Sequence, residues 1–257
     1  MAGLLDGKAG LVTGAAGGIG RGIAVELGRE GAAVVVSDLE SEQGRGEETV
    51  ALVEQAGGRA TWRACDVVYA EACDALAEAV VDAYGRLDFA VNNAGVAAHK
   101  LLADHTEEDY DRVMGINLKG VFLGMKAQIP RMLENDPPAR GSIVNMASVA
   151  GLVGVRDISV YTASKHGIVG LTRNAAMEYG EQGVRVNAVC PNAIRTPLMD
   201  ISPPEFVEAL IAPQAIKRPG EPEEVGAAVA FLLSDNASFI TGVSLPIDGG
   251  YLATAAV

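Results

Sequence analysis

The chain has 257 residues, 49% of them hydrophobic, which is enough to bury one sizeable core. Its 33 acidic against 20 basic side chains leave a net charge of −13, which disfavours nucleic acid and anionic membrane surfaces as partners. No apolar stretch approaches the ~20 residues of a membrane span.

A first strand is predicted over residues 8–12. It runs into Thr13-Gly14-Ala15-Ala16-Gly17-Gly18-Ile19-Gly20, and Ile23, Ala24 and Leu27 then give helical spacing over 18–30. A strand, a glycine-rich turn and a helix start make a phosphate cradle. Glycines let the backbone approach a pyrophosphate, and the free N–H groups with the helix dipole favour the anion. The spacing is G-x-x-x-G-x-G. A second strand over 33–37 ends at Ser37-Asp38. An acidic residue about 20 positions beyond the glycines suits the hydroxyls of an adenosine ribose and repels a 2′-phosphate. No arginine stands at Ala15, Ala16, Ser37 or Leu39. Together these features favour NAD over NADP.

Further strands are predicted over 60–64, 88–92, 142–146, 184–190 and 244–247. Helices are predicted over 42–56, 70–84, 107–133, 161–180 and 222–234. Thr106-Glu107-Glu108-Asp109 has the form of a helix start, and Pro222 suits a first-turn position. Strict alternation implies an α/β, doubly wound parallel sheet with right-handed crossovers, in one domain spanning 1–257. The segment 195–220 contains Pro197, Pro203, Pro204, Pro213 and Pro219, reads as irregular, and is the best candidate for a lid.

Tyr161 and Lys165 are spaced i, i+4, so they share a helix face. A neighbouring ammonium favours a phenolate and lowers a tyrosine pKa from about 10, making Tyr161 a candidate acid/base. Ser148, thirteen residues upstream, could hold a substrate oxygen beside it. Cys65, Cys73 and Cys190 lack C-x-x-C spacing and read as reduced, packed thiols of a cytoplasmic protein. The start Met1-Ala2-Gly3-Leu4-Leu5-Asp6 does not have the form of a signal peptide. His99, His105 and His166 form no ligand cluster, so no catalytic metal is expected.

The motifs occur in a telling order. The glycine-rich turn is followed by Asp66-Val67, Asn92-Asn93-Ala94-Gly95, Asn117, Ser148, Tyr161-Thr162-Ala163-Ser164-Lys165, and Val189-Cys190-Pro191 running to Thr196. In that order and spacing they resemble the short-chain dehydrogenase/reductase family in its ~250-residue form, over nearly the whole chain. The resemblance implies a Rossmann-type sheet of seven strands in the order 3-2-1-4-5-6-7 and an oxidoreductase that interconverts a secondary alcohol and a ketone. It implies Tyr161 as base for oxidation and acid for reduction. Lys165 would lower the pKa of Tyr161 and bind the nicotinamide ribose, Ser148 would polarise the substrate oxygen, and Asn117 would hold a water relay. Gly14, Gly18, Ile19 and Gly20 would line the pyrophosphate turn. Asp38 would take the adenine ribose, and Asp66 and Val67 the adenine. Asn93 and Gly95 would lie near the ribose and central sheet, and Pro191, Ile194 and Thr196 around the nicotinamide.

The chain departs from the family at Asn192, where a glycine often follows the proline. This makes Asn192 a candidate substrate contact. Val96, Val149, Val155, Ile158 and Met199, with Phe206 and Leu210 on the lid, are the expected pocket walls. They are apolar, without an arginine or lysine cluster, and suit a small or medium hydrophobic alcohol or ketone, cyclic ones included. The alternatives are a 3-oxoacyl-(acyl carrier protein) reductase, against which Asp38 and the net charge argue, and a sugar dehydrogenase. A non-catalytic NAD-binding sensor is a third, against which the four retained catalytic positions argue. Val121, Phe122, Met125 and Ile129, and then Ile168, Leu171 and Met177, give two helices more apolar face than one sheet needs. By resemblance these helices pair between subunits, with the tail 251–257 adding contacts, in a homotetramer.

Overall fold

Short runs of Val, Ala, Ile and Leu become central strands buried on both sides, flanked by two partly exposed edge strands over 59–64 and 244–247. In the computed structural model, which describes residues 3–196, 199 and 204–253, these are β1 (Ala9–Thr13), β2 (Ala33–Asp38), β3 (Arg59–Ala64), β4 (Phe89–Asn92), β5 (Gly141–Met146), β6 (Val184–Pro191) and β7 (Ser244–Ile247). They form one parallel sheet in the order β3-β2-β1-β4-β5-β6-β7. Both the architecture and the strand order are as expected.

Helices cover both faces. On one side α1 (Gly18–Arg29), α2 (Gln43–Gln55) and α8 (Pro222–Leu233) pack on Val12, Val34, Val36, Phe89, Val91, Val144 and Val189. On the other, α3 (Ala70–Tyr84), α5 (Gly120–Leu133) and α6 (Ser159–Tyr179) pack on Leu11, Val35, Ala90, Ile143, Val186 and Ala188. Successive strand residues point to opposite sides, so nearly continuous apolar runs are what a doubly covered sheet requires.

Three elements differ from the sequence reading. The helix expected over 107–133 is interrupted. It begins as α4 (Glu107–Met114), capped by a reciprocal Thr106–Asp109 box, then widens into a π-turn at Gly115–Lys119 before α5. In that turn the Gly120 N–H reaches back to the Gly115 carbonyl, five residues away. Helix α6 starts at Ser159, two residues before Tyr161. The segment 195–220 is not wholly irregular, since it contains α7 (Pro204–Ile211). Part of it, 197–198 and 200–203, lies outside the described residues, as do the tail residues 254–257.

The strands all point the same way, so their C-terminal ends bring Thr13, Asp38, Asp66, Asn93, Ser148 and Asn192 to one edge of the sheet. Ligands of open α/β sheets bind along such an edge.

Candidate active site

The cradle is built by β1, α1 and the ends of β2 and β3. Gly18 adopts φ +52°, which disfavours any side chain, and a Cβ there would meet the Thr196 methyl at 3.5 Å. At Gly20 a Cβ would lie 2.1 Å from the Gly14 carbonyl oxygen, so the turn closes only around glycine. Helix α1 has no side-chain cap on Gly17 and no acidic residue in its first turn. Its first N–H groups therefore face the cradle without a side-chain acceptor, and the residues present fit a dinucleotide pyrophosphate.

Asp38, at the end of β2, bounds the cradle. One carboxylate oxygen accepts the Ala16 N–H at 3.1 Å and the other the Leu39 N–H at 2.9 Å. The Cys65 N–H donates to the Asp38 carbonyl at 2.8 Å, which sets Asp66 and Val67 beside it. Val67 leans on α5, where a Cβ at Gly120 would come within 2.8 Å of it. Asn93 spends its amide on the turn itself, donating to the carbonyls of Thr13 (2.9 Å) and Gly14 (3.0 Å). The Thr13 hydroxyl accepts from the N–H groups of Asn93 and Ala94. Arginine is absent from the four positions singled out in the sequence, but α2 delivers one. The Arg45 guanidinium lies 2.5 Å from where a Gly17 Cβ would be, paired to Glu42 at 2.9 Å. A contact across two elements leaves no mark in local spacing.

The candidate reacting groups stand across from this cradle. Ser148 follows β5, accepts the Ala150 N–H at 3.2 Å and donates to the Pro191 carbonyl at 3.4 Å. Tyr161 and Lys165 lie in the first turns of α6, with the Lys165 Nζ 5.3 Å from the centre of the phenol ring. Lys165 is buried and donates to the Met146 carbonyl at 2.7 Å. Burial drives its ammonium down to about 8, against a smaller upward pull from the Cys190 thiol.

Opposed influences act on the Tyr161 phenol. Burial is the largest influence and raises the phenol, while the Ser148 hydroxyl draws it back down. The Lys165 ammonium gives one of its three N–H groups to the Met146 carbonyl, and desolvation is the largest influence on the phenol.

Asn117 sits in the π-turn, fully buried. Its Oδ1 accepts the Val96 N–H at 2.8 Å, and its Nδ2 donates to the Val96 carbonyl (2.9 Å) and to the Ser164 hydroxyl (3.1 Å). Ser164 in turn donates to the Tyr161 carbonyl at 2.7 Å. A Cβ on Gly95 would be 3.2 Å from Asn117 Oδ1 and 3.7 Å from Lys165 Nζ, so both groups border one small space.

Of the expected pocket walls, Val96 packs against the cluster of Ala98, Val113 and Val160, as does Tyr161. Val149 is buried, Val155, Ile158 and Met199 are half-buried, and the Phe206 side chain lies outside the described residues. Ile194 is buried beside Gly220, whose backbone is bonded to both Ala193 and Arg195. Asn192 uses one Nδ2 hydrogen on the Leu210 carbonyl at 3.3 Å.

A buried chain of polar groups that the sequence reading missed lies beneath. Asn92 donates to Gln128 (3.1 Å) and Asn145 (2.9 Å), Gln128 donates back to Asn92 (2.8 Å), and Asn145 donates to Thr172 (3.0 Å).

Comparison with known proteins agrees with this geometry. A family profile described as enoyl-(acyl carrier protein) reductase matches residues 14–252. Cyclohexanol dehydrogenase of Acinetobacter sp. (strain SE19) is 42% identical, over 98% of this chain and 97% of its own. Levodione reductase of Leifsonia aquatica is 39% identical, over 95% of this chain and 93% of its own. A crystal structure of levodione reductase matches with a TM-score of 0.91 at 38% identity, over 98% of this chain and all of that one. The structure of a provisional 2-deoxy-D-gluconate 3-dehydrogenase from Agrobacterium tumefaciens, with bound NADP, matches with a TM-score of 0.88 at 33% identity, over 97% and 98% of the two chains. The chain belongs to the short-chain dehydrogenase/reductase family and is an oxidoreductase.

Proposed function

We propose that this protein is an NAD-dependent dehydrogenase of small or medium, hydrophobic, cyclic secondary alcohols, working reversibly with the matching ketones. The observation that carries the reading is the convergence of Ser148, Tyr161 and Lys165 on the edge of the sheet that also holds the Gly18 cradle. The half-buried Val155, Ile158 and Met199 and the names of the cyclohexanol and levodione enzymes support the substrate class.

A bound nicotinamide supplies the hydride acceptor or donor. This chain's own residues handle the proton and the charge on oxygen. The Ser148 hydroxyl donates to the substrate oxygen and holds it beside Tyr161. The raised pKa keeps the phenol protonated at neutral pH, which suits it to protonate the oxygen of a ketone undergoing reduction. In oxidation the phenolate takes the alcohol proton, and Ser148 with the Lys165 ammonium stabilises it. Lys165 also binds the nicotinamide ribose, with Gly14, Ile19, Gly20, Asp66, Val67, Asn93, Gly95, Pro191, Ile194 and Thr196 around the cofactor. The Asn117 side chain is fully engaged as a donor, so a water relay to Lys165 would use the backbone of its π-turn.

Asp38 on the ribose side supports NAD. Arg45 is the side chain available to a 2′-phosphate, which is why the cofactor must be tested directly. Exposed Phe122 on α5 and Met177 on α6 support a homotetramer, and the buried free thiols support a reducing, cytoplasmic setting.

The test is turnover of cyclic, aromatic, steroid-like and sugar alcohols with NAD or NADP. Reduced nicotinamide from NAD and a cyclic apolar alcohol is the expected result. Turnover confined to NADP would overturn the reading of Asp38 and revive the acyl-carrier reductase. NAD binding without turnover of any alcohol or ketone would favour the sensor.

A further inference from the structure

Asn192 follows Pro191 at the end of β6, and its backbone and side-chain nitrogens donate to two different elements. Its backbone N–H donates to the Ile247 carbonyl at the end of β7, at 3.2 Å. Its side-chain Nδ2 donates to the Leu210 carbonyl in the last turn of α7, at 3.3 Å. The final carbonyls of a helix have no partner within it. In α7 and the residue after it they are shared out: the Glu208 carbonyl takes the Ala212 N–H, the Ile211 carbonyl the Gln214 N–H, and the Ala212 carbonyl the Lys217 Nζ at 2.6 Å. The first of those bonds closes the helix itself, and the other two join its end to the segment that follows. The Leu210 bond crosses to the sheet.

The strap beyond α7 is anchored separately. Gln214 is buried and donates to the Asp248 carbonyl at 3.2 Å, and the Ile216 N–H donates to the Gly249 carbonyl at 2.8 Å. Immediately before Asn192, the Pro191 carbonyl accepts the Ser148 hydroxyl at 3.4 Å. One turn of chain therefore touches the reacting serine on one side and the last turn of α7 on the other. A glycine at 192 could make the backbone bond to Ile247 but would leave the Leu210 carbonyl without this donor.

We propose that Asn192 is a positioning residue that latches α7 over the Ser148 end of the site, and so sets how firmly the site closes on its alcohol or ketone. The proposal rests on reading α7 as the substrate lid. Asn192 acts through the position of Leu210 and its neighbours, and does not need to touch the substrate.

The test compares the full-length wild type with Asn192→Asp, which keeps the shape and loses the donor, and Asn192→Gly. Amide hydrogen exchange over 204–216 is followed by mass spectrometry, NAD affinity by calorimetry, and KM and kcat with cyclohexanol. Losing one neutral hydrogen bond should speed exchange in α7 by about three- to tenfold in both variants, with NAD affinity unchanged. KM for the alcohol should rise by about the same factor, with a smaller change in kcat. Wild-type exchange over 204–216 in both variants would overturn the latch, as would a fall in kcat at constant KM. If Asn192→Asp fails to fold, Asn192→Gly decides. If the wild type oxidises no alcohol, the functional reading falls, and the exchange rates still decide whether the latch exists.

Discussion

The two faces of the sheet are built on different principles. The face under α1, α2 and α8 is closed by Ile23, Leu27, Val53, Val225, Val229 and Leu232, all buried. Among the polar groups buried near it, Ser142 and Asn187 bond the main-chain carbonyls of Leu232 and Ile240, and Thr49 and Glu26 take the guanidinium groups of Arg21 and Arg29. The face under α5 and α6 carries a side-chain network through Asn92, Gln128, Asn145 and Thr172, and next to it the buried Lys165 and the π-turn that holds Asn117. Apolar packing tolerates volume-preserving exchange, whereas a buried polar network is costly to leave half-satisfied. One face is therefore a scaffold, and the other trades easy packing for fixed geometry beside the reacting groups.

The largest effect expected from this contrast is at Tyr161. Tyr161→Phe should lower turnover by ~10³-fold with NAD affinity and thermal midpoint unchanged, measured by steady-state kinetics beside calorimetry. Retained turnover would remove the polar face from the chemistry.

Lys165 comes next, and its sign is fixed by its titration. The ammonium falls from an ordinary 10.5 to about 8 in the folded protein. Between those values the unfolded chain binds more protons, so this residue makes stability rise with pH from about 8 to 10.5. Its full penalty is present below 8 and amounts to about 3 kcal/mol. Denaturant unfolding of Lys165→Met between pH 7 and 10 should show a flatter pH dependence than wild type, along with a loss of turnover. Parallel curves would show that Lys165 is not held in this environment.

A matched pair gives the smallest and sharpest comparison. Leu27→Ala on the apolar face should cost about 3 kcal/mol of stability and leave kcat alone. Gln128→Met on the polar face keeps the volume but strands Asn92. It should cost about 2 kcal/mol and also lower kcat, because the network adjoins the helix that carries Asn117. Equal effects on kcat would erase the distinction between the faces.

What could be read in the chain follows the same division. The strands were legible because a doubly covered sheet demands apolar runs, and the cradle because its steric demands at Gly18 and Gly20 exclude other residues. Thr106 and Pro222 marked two helix starts, because capping chemistry is local. The π-turn was invisible, since its bond across five residues leaves the composition of an ordinary helix. Helix α7 was hidden by its shortness among prolines. The placement of Arg45 over Gly17, the Asn92–Gln128 exchange and the Asn192–Leu210 bond join residues far apart in the chain, so spacing could not announce them.

The π-turn also changes what the length of this chain means. An α-helix turns about 100° per residue, and Gly115–Lys119 packs an extra residue into one turn. Deleting a single residue there would let the helix close regularly from Glu107 onward, with backbone bonding at least as good as before. It would also swing α4 out of phase with α5 and carry Asn117 away from Val96 and Ser164. The helix would become more ideal and the site would come apart. At this point the chain is counted by residue number as much as by residue type, and a one-codon deletion would be a more drastic edit than many substitutions at the reacting groups themselves.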